Sequence, residues 1–195
     1  MRILGTALLF AAVIFTACKS EPAIVKVNNI TDEKITLSNG EVIALPNDPG
    51  NGATTIFIVR HAEKEKNGDV NPHLSLDGKI RAKKIDSLFT SVNLSGILST
   101  SYFRAMETLQ PLSDRTGTTI MNYLPDSMDP VTKYVLEYEK GKKFLIVGHS
   151  NSIPGYVLSL VPNSTPFTIG EEEYDNLYVI TADNAGNSKF YSLKY

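Results

Sequence analysis

Apolar residues in this chain form short runs that alternate with polar stretches rich in glycine, proline and asparagine. The runs at 56–59 and 144–147 are hydrophobic at every position, as is typical of strands covered on both faces. Further strands are predicted at 97–99, 119–124, 176–181 and 188–194, and helices from Ser75 onward and at 102–115, 130–140 and 154–161. This alternation predicts a three-layer α/β/α sandwich with a mainly parallel central sheet.

The first predicted helix has a clear start and an apolar stripe. Ser75 can cap its amino terminus, because a serine oxygen accepts hydrogen bonds from the first free backbone N–H groups. Apolar residues then recur roughly along one helical face, at Leu76, Ile80, Ile85, Leu88, Phe89 and Val92. In the second helix, Met106, Leu109 and Leu112 are predicted to lie in the core.

Both long apolar runs stop at polar residues. The first ends in Arg60-His61-Ala62-Glu63, and the second ends in Gly148-His149-Ser150. Open α/β sheets bind ligands in the crevice at the carboxyl ends of their strands. We therefore expect Arg60, His61 and His149 to meet at a site mouth.

These strand ends, together with two segments between them, resemble the histidine phosphatase superfamily in its phosphoglycerate-mutase-like branch. The intervening matches are Leu74-Ser75-Leu76-Asp77-Gly78-Lys79-Ile80-Arg81-Ala82 and Ser101-Tyr102-Phe103-Arg104-Ala105-Met106-Glu107-Thr108. The resemblance covers roughly residues 54 to 162, with the four motifs in the family's order. It implies that His61 is the nucleophile, that Arg60, Arg104 and His149 bind the phosphoryl group, and that Asn67 contacts phosphate unless it is a turn residue.

The residue types suit that chemistry. Arginine presents a planar charged fork to phosphate oxygens, and a neutral imidazole is a usable nucleophile near pH 7. Phosphoryl transfer needs mainly positioning and charge stabilisation, so no metal or other cofactor is expected. Zinc is the competing explanation for paired histidines, but the arginine beside His61 would repel a cation and no third His or Cys motif is present.

The general acid for the leaving group is less clear. Mutases of this family carry a catalytic glutamate after the second arginine, whereas this chain has Leu124-Pro125-Asp126-Ser127-Met128-Asp129. Asp126 is the candidate by position, with Asp129 and Glu63 as rivals. Each of the three could instead be a helix cap or a loop carboxylate.

The first residues predict export and a lipid anchor. Residues 3–17 form an apolar segment of about fifteen residues after Arg2, shorter than the roughly twenty that span a bilayer. The segment ends in small residues before Cys18, which resembles a bacterial lipoprotein signal; ordinary secretion is the alternative. We expect residues 1–17 to be removed and Cys18 to be lipidated. The protein would then lie in the cell envelope, facing the periplasm or the exterior.

The net charge indicates little about function, and the turn-rich stretches divide the chain into segments. Without residues 1–17, 18 basic residues face 21 acidic ones, which gives no basic patch for nucleic acid. Residues 18–53 are expected to be a tether, with either a small hairpin that turns at Asn39-Gly40 through two residues or an unstructured spacer. Residues 54–195 form the phosphatase-like domain, and nothing indicates its oligomeric state.

Three functions therefore remain open. The first is a metal-independent phosphatase that acts on a small phosphomonoester. The second is a mutase-type isomerase, and the third is a lipid-anchored module that binds phosphate without turnover.

Overall fold

The computed structural model describes residues 24–47, 52–126, 128–183 and 187–195, without the side chains of Met128 and Asp129. Its strands are β1 Val27–Ile30, β2 Lys34–Leu37, β3 Val42–Ala44, β4 Thr54–Arg60, β5 Gly96–Thr100, β6 Ile120–Tyr123, β7 Lys143–Gly148, β8 Asn176–Ala182 and β9 Ser188–Lys194. The helices are α1 Leu76–Leu88, α2 Phe103–Thr116, α3 Met128–Tyr138 and α4 Ile153–Leu160. The signal segment, Cys18 and part of the turn at 183–186 lie outside the described residues.

Six strands form the central sheet in the order β6-β5-β7-β4-β8-β9. The strands β6, β5, β7 and β4 are parallel, and β8 and β9 are antiparallel at one edge. Strand β4 lies inside the sheet between β7 and β8, and all seven of its residues are buried. The predicted α/β fold with a mainly parallel sheet is confirmed.

Alternate residues of β4 face two separate hydrophobic layers. Phe57 and Val59 pack in a cluster with residues of α1 and α2, whereas Ile56 and Ile58 pack in a cluster with residues of α3 and α4. Side chains of successive strand residues point to opposite faces, so a strand covered on both sides is apolar throughout. This arrangement confirms the three-layer sandwich.

Helix α1 begins where the sequence predicts but turns a different face inward. The Ser75 oxygen accepts a hydrogen bond from the Gly78 amide at 3.2 Å, which confirms the cap. The predicted apolar stripe is wrong at its start, because Leu76 is 75% exposed and Ile80 is 61% exposed. A small residue packs inward instead: a Cβ on Gly78 would lie 2.1 Å from the carbonyl oxygen of Glu63, in the turn after β4.

Helix α2 places its predicted residues largely as expected. Leu109 and Leu112 are buried in the core, whereas Met106 is half-buried, so the prediction that Met106 lies in the core is only partly correct. Arg104 lies in the first turn of the helix. The helix ends at Gly117, whose left-handed conformation, with φ of 69°, suits glycine.

The described part of the segment before β4 folds onto the domain as a three-stranded antiparallel sheet, β1-β2-β3. The turn is not the predicted two-residue one. The Leu37 amide donates to the Glu41 carbonyl at 2.8 Å, and of Asn39 and Gly40 only the glycine has positive φ, at 88°. These contacts make a three-residue loop that ends in a left-handed glycine. Ile30, Ile35 and Leu37 of this small sheet belong to the same hydrophobic cluster as Phe57.

No helix within the described ranges is both long enough and apolar enough to cross a bilayer.

Candidate active site

The carboxyl ends of β4 and β7 bring the two predicted histidines together. Parallel pairing aligns Arg60 with Gly148, and the His61 amide continues the ladder by donating to the Gly148 carbonyl at 3.0 Å. The rings of His61 and His149 follow directly, with centroids 5.3 Å apart. Both histidines are buried, so they lie at the base of the site.

Arg60 is held from several sides. Its Nη1 donates to three backbone carbonyls of the segment after α4, those of Gly170 at 2.8 Å, Glu171 at 2.9 Å and Glu173 at 3.2 Å. Its guanidinium carbon lies 4.1 Å from the centre of the Tyr174 ring, which adds a cation–π contact. The buried Nε of Arg60 has no hydrogen-bond partner in the described part of the chain. The guanidinium is therefore fixed at one end and free to donate at the other.

A hydrogen bond to the backbone defines the tautomer of His61. Its Nδ1 lies 2.8 Å from the Ala62 carbonyl oxygen. Because a carbonyl oxygen only accepts, Nδ1 carries the proton and Nε2 keeps its lone pair. The Ala62 amide in turn donates to the Thr108 hydroxyl of α2 at 2.9 Å, which holds this turn in place.

The environment of His61 favours the neutral ring. Burial lowers the pKa of His61 to about 3; the Ala62 carbonyl opposes this shift, and His149, Arg104 and Arg60 add to it. Charging a buried imidazole beside two guanidinium groups is unfavourable on both counts. At neutral pH His61 thus has an unprotonated nitrogen, as a nucleophile requires.

His149 is similarly neutral but is bound to the sheet. Its Nε2 lies 2.9 Å from the Thr100 hydroxyl at the end of β5, and the Tyr102 ring contacts it edge-on. Burial lowers the pKa of His149 to about 4, and the charges of Arg104 and Arg60 lower it further. The side chain is therefore positioned by a neighbouring strand end.

Arg104 is the clearest sign of an anion site. It lies at the start of α2 and stacks over Tyr102, with 4.4 Å from the guanidinium carbon to the ring centre. Its Nε and Nη1 are buried and have no hydrogen-bond partner in the described ranges. Burial lowers the pKa of Arg104; Tyr102 opposes this effect and Arg60 adds to it. Buried donors without partners are costly, so an oxyanion that accepts from them would be bound strongly.

A cavity of about 410 Å³ opens beside these groups. The described residues that line it are Tyr102, Arg104, Pro125, Asp126, His149, Asn151, Ser152 and Tyr156. The structure thus brings Arg104, His149 and Asp126 to one pocket, next to His61 and Arg60. Asp126 is exposed at this pocket.

Asn67 and the rival acids are placed differently. Asn67 is exposed and uses its amide within its own loop, to Glu65 at 3.1 Å and Asp69 at 2.6 Å, and it does not line the pocket. Glu63 forms a two-pronged ion pair with Arg81, with oxygen–nitrogen distances of 2.6 to 2.9 Å. Burial would raise the pKa of Glu63, but the bonds and charge of Arg81 outweigh it and lower the pKa. The Asp129 side chain lies outside the description.

The third histidine, His73, is separate from the pocket. It is half-exposed, pairs with Glu107 and stacks on Phe103 at 4.4 Å between ring centres. Within the described ranges, no three residues among His, Cys, Asp and Glu come together as a group that could hold a metal ion. The expected absence of a cofactor stays a prediction.

Several site residues were not predicted from the sequence. Tyr174 and the carbonyls of Gly170, Glu171 and Glu173 position Arg60, although the three consecutive glutamates at 171–173 indicate only a solvated loop. Backbone carbonyls leave no sequence signal. Thr100 and Tyr102 were detectable in principle, because each lies within four residues of Arg104 near a predicted strand end.

The model of the histidine phosphatase superfamily, branch 1, matches residues 56–128, a stretch that contains Arg60, His61 and Arg104 in order. Over these residues the chain is similar to the histidine phosphatase superfamily. Among curated proteins, none matches it. This similarity supports an enzyme with a phosphatase or mutase-like activity.

Solved structures share the fold at low identity. The protein histidine phosphatase SixA, complexed with tungstate, is 16% identical with a TM-score of 0.60, over 72% of this chain and 96% of that one. A mycobacterial glucosyl-3-phosphoglycerate phosphatase is 13% identical with a TM-score of 0.60, over 73% of this chain and 99% of that one. A phosphoserine phosphatase from Entamoeba histolytica, in complex with 3-phosphoglyceric acid, is 14% identical with a TM-score of 0.56, over 73% of this chain and 97% of that one. At these identities the likeness establishes the fold alone.

Proposed function

We propose that this protein is a metal-independent phosphatase that hydrolyses a small phosphomonoester through a phosphohistidine at His61. The observation that carries the proposal is the set of three buried guanidinium donors without partners in the described chain, Arg60 Nε and Arg104 Nε and Nη1, beside two neutral imidazoles. A phosphoryl group would supply the missing acceptors.

The reaction proceeds in two balanced steps. Nε2 of His61 attacks phosphorus, so a P–N bond forms while the P–O ester bond breaks and the leaving oxygen takes a proton. Water then attacks phosphorus and gives a proton to the group that protonated the leaving oxygen, the P–N bond breaks, and inorganic phosphate leaves. Arg60, Arg104 and His149 donate to the equatorial oxygens, where negative charge spreads in the transition state.

The proton for the leaving oxygen has three candidate sources. Asp126 lines the pocket, which supports it. Glu63 is a weaker candidate, because its pairing with Arg81 favours the ionised form. Asp129 remains a rival by position in the sequence alone.

Hydrolysis is favoured over isomerisation by the chain between Arg104 and His149. Its 44 residues hold the rest of α2, β6, α3 and β7, with no room for the large insertion with which mutases cover their substrate. An uncovered phosphoenzyme meets water, which completes hydrolysis. A non-catalytic role is less well supported, because His61, Arg60, Arg104 and His149 are all present at the site.

The location belongs to the same proposal. The signal-like segment and Cys18 favour an exported, lipid-anchored protein in the bacterial cell envelope, bound to the membrane through Cys18. An exported enzyme is also separated from the cytosolic sugar acids on which mutases act.

Trapping the intermediate tests the mechanism. Native protein mixed with ³²P-labelled substrate and quenched in alkali should carry an acid-labile label, and His61→Ala should carry none. His73→Ala is the matched control, since it removes the histidine that lies outside the pocket, and it should retain the label. Label on His61→Ala, or none on the native protein, would eliminate His61 as the nucleophile.

Arg104→Ala should fail in another way. The nucleophile remains, but a charge that binds phosphate in both ground and transition states is lost, so KM should rise and kcat should fall. The measurement is steady-state hydrolysis of 4-nitrophenyl phosphate. A rise in KM with kcat unchanged would mean that Arg104 contributes to binding alone.

Asp126→Asn separates the acid from the other roles. If Asp126 protonates the leaving oxygen, its loss should slow alkyl phosphates severely and an aryl phosphate much less, because a phenolate departs without a proton. Equal losses on both substrates would leave Asp129 as the next candidate.

A further inference from the structure

The cavity beside His149 contains more than the groups that bind the phosphoryl oxygens. Its remaining wall consists of Tyr102, Pro125, Asp126, Asn151, Ser152 and Tyr156. In the described part of this wall the side chains are aromatic, apolar or neutral polar apart from Asp126, and no lysine is among them.

The segment that carries Asp126 is fixed to the fold. The Tyr156 hydroxyl of α4 donates to the Pro125 carbonyl at 3.1 Å, immediately before Asp126. Tyr156 is itself buried in the cluster under α3 and α4. The carboxylate therefore stands at a defined edge of the pocket, although its side chain is exposed.

A bound phosphoryl group changes the charge balance of this pocket. It uses the free donors of Arg104 and Arg60, which are the positive groups of the site. Before a phosphoryl group binds, burial lowers the pKa of His149 and keeps it neutral, and on the Arg60 side the exposed Glu171 carboxylate already lies 3.7 Å from the guanidinium. What faces the alcohol portion of the ester is then the negative charge of Asp126.

We propose that Asp126 selects substrates by the charge of their alcohol portion, so that small phosphomonoesters with an ammonium group are preferred and those with a carboxylate are disfavoured. This inference rests on the proposed phosphatase function. The cavity volume of about 410 Å³ lies toward the lower end of the range for ligand pockets, which suits a short aminoalkyl phosphate. Opposite charges attract across the exposed edge, and like charges repel there.

The size of the effect follows from the exposure of Asp126. Charge pairs in contact with solvent change binding by roughly two- to fivefold, and attraction of one substrate adds to repulsion of the other. We expect kcat/KM for 2-aminoethyl phosphate to exceed that for 2-carboxyethyl phosphate by about fivefold or more at low salt, with propyl phosphate between them. Salt should reduce the difference, because it screens exposed charges.

The test compares these three alkyl phosphates in the native protein, Asp126→Asn and Asp126→Lys. The aminoethyl to carboxyethyl ratio should fall toward one in Asp126→Asn and invert in Asp126→Lys. Glu41→Gln is the matched control: it removes one negative charge in the turn between β2 and β3, outside the pocket, and should keep the native ratio.

Recognition by charge needs Asp126 as an ionised carboxylate, whereas proton donation needs it as a neutral carboxyl, so the two roles are alternatives and the ratio separates them. Loss of an acid slows all three alkyl esters by a similar factor, whereas loss of the recognising charge changes their ratio. An unchanged ratio in Asp126→Asn, or a native preference for the carboxylate, overturns the inference. If no phosphate, including 4-nitrophenyl phosphate, is hydrolysed, the proposed function fails first; if that aryl ester is hydrolysed without charge preference, only the inference fails.

Discussion

Two neutral imidazoles buried beside two guanidinium groups tie the stability of this protein to pH. Burial lowers the pKa of His61 to about 3 and that of His149 to about 4, whereas a histidine in an unfolded chain has a pKa of about 6.5. Between these values the unfolded chain binds protons that the folded chain does not. Stability is therefore fully present above about pH 6.5 and falls as the pH drops toward 4.

We predict that a variant without these histidines loses less stability on acidification. In the native protein each site histidine should contribute a slope of up to about 1.4 kcal/mol per pH unit between pH 6 and pH 4.5. The free energy of unfolding, from urea titrations across that range, should depend less steeply on pH in the His61→Gln/His149→Gln double variant. Carboxylates titrate in both proteins, so the difference between the two curves isolates the histidines. Parallel curves would show that the site histidines are protonated in the folded protein.

The sequence predicts the placement of these two histidines at strand ends better than it predicts the contacts that hold Arg60. A hydrophobic run that stops at Arg60 and His61 fits either a buried strand that ends at a crevice or a strand that leaves the core into a charged loop, and the second run that ends at His149 favours the crevice. Arg60 is held by backbone carbonyls and by one face of the Tyr174 ring, which belong to a segment more than 100 residues further along the chain. Such contacts depend on tertiary structure, so local sequence gives no sign of them. Asn67 illustrates the reverse case, because a position six residues after His61 suggests a phosphate contact, yet the side chain bonds within its own loop.

At the scale of elements, helix α1 shows how a small residue helps to hold the turn that follows His61. The Glu63 carbonyl accepts from the Ser75 amide at 2.9 Å and from its hydroxyl at 3.2 Å, and Gly78 packs directly against it. The start of α1 therefore braces the turn that follows His61. The hydrophobic pattern predicted the helix but not this face, because a close approach requires the absence of a side chain rather than the presence of an apolar one.

We predict that Gly78→Ala destabilises the protein and impairs the site. Its Cβ would lie 2.1 Å from the Glu63 oxygen, which is backbone and cannot move aside alone. Overpacking of this kind costs about 1–3 kcal/mol or more. Gly155→Ala in α4 is the matched control, because no atom lies within 4 Å of its Cβ and helix propensity favours alanine by about 0.8–1 kcal/mol.

Chemical denaturation and phosphatase assays under native conditions measure both effects. Gly78→Ala should unfold at lower urea concentration and show a lower kcat, whereas Gly155→Ala should be at least as stable as the native protein. Equal stability of the two variants would mean that α1 does not press against the turn after His61.

At the scale of the whole molecule, the small sheet β1-β2-β3 contributes to the core of the domain. Ile30 and Ile35 are fully buried in the cluster that also contains Phe57, Phe89 and Tyr195. A spacer that merely carried the domain would not bury its apolar residues against it. The sequence could not distinguish the two, because strands of three or four residues have too few positions for a decisive alternation.

Two side-chain substitutions test whether the small sheet contributes to the core of the domain. Ile35→Ala should lower the free energy of unfolding by about 2–5 kcal/mol, as for a core isoleucine, with a single transition. Val42→Ala, in the neighbouring strand and 56% exposed, should change it by less than about 0.5 kcal/mol. If Ile35→Ala is as mild as Val42→Ala, the small sheet is dispensable to the domain.

The folded start of the domain also limits how far it extends from the proposed anchor. Nine steps of chain separate Cys18 from Val27, where β1 begins, and even a fully extended chain spans at most about 3.5 Å per residue, or about 30 Å in total. The start of β1 would thus be held within about 30 Å of the membrane. We predict that the native protein incorporates labelled fatty acid and sediments with membranes, and that Cys18→Ala does neither, because several acyl chains are needed for stable anchoring. Growth with labelled palmitate followed by fractionation measures both.

Ser20→Ala, a neighbouring substitution that leaves the thiol, should behave as the native protein does. Unlabelled native protein, together with Cys18→Ala that remains on membranes, would show that another feature holds the protein there.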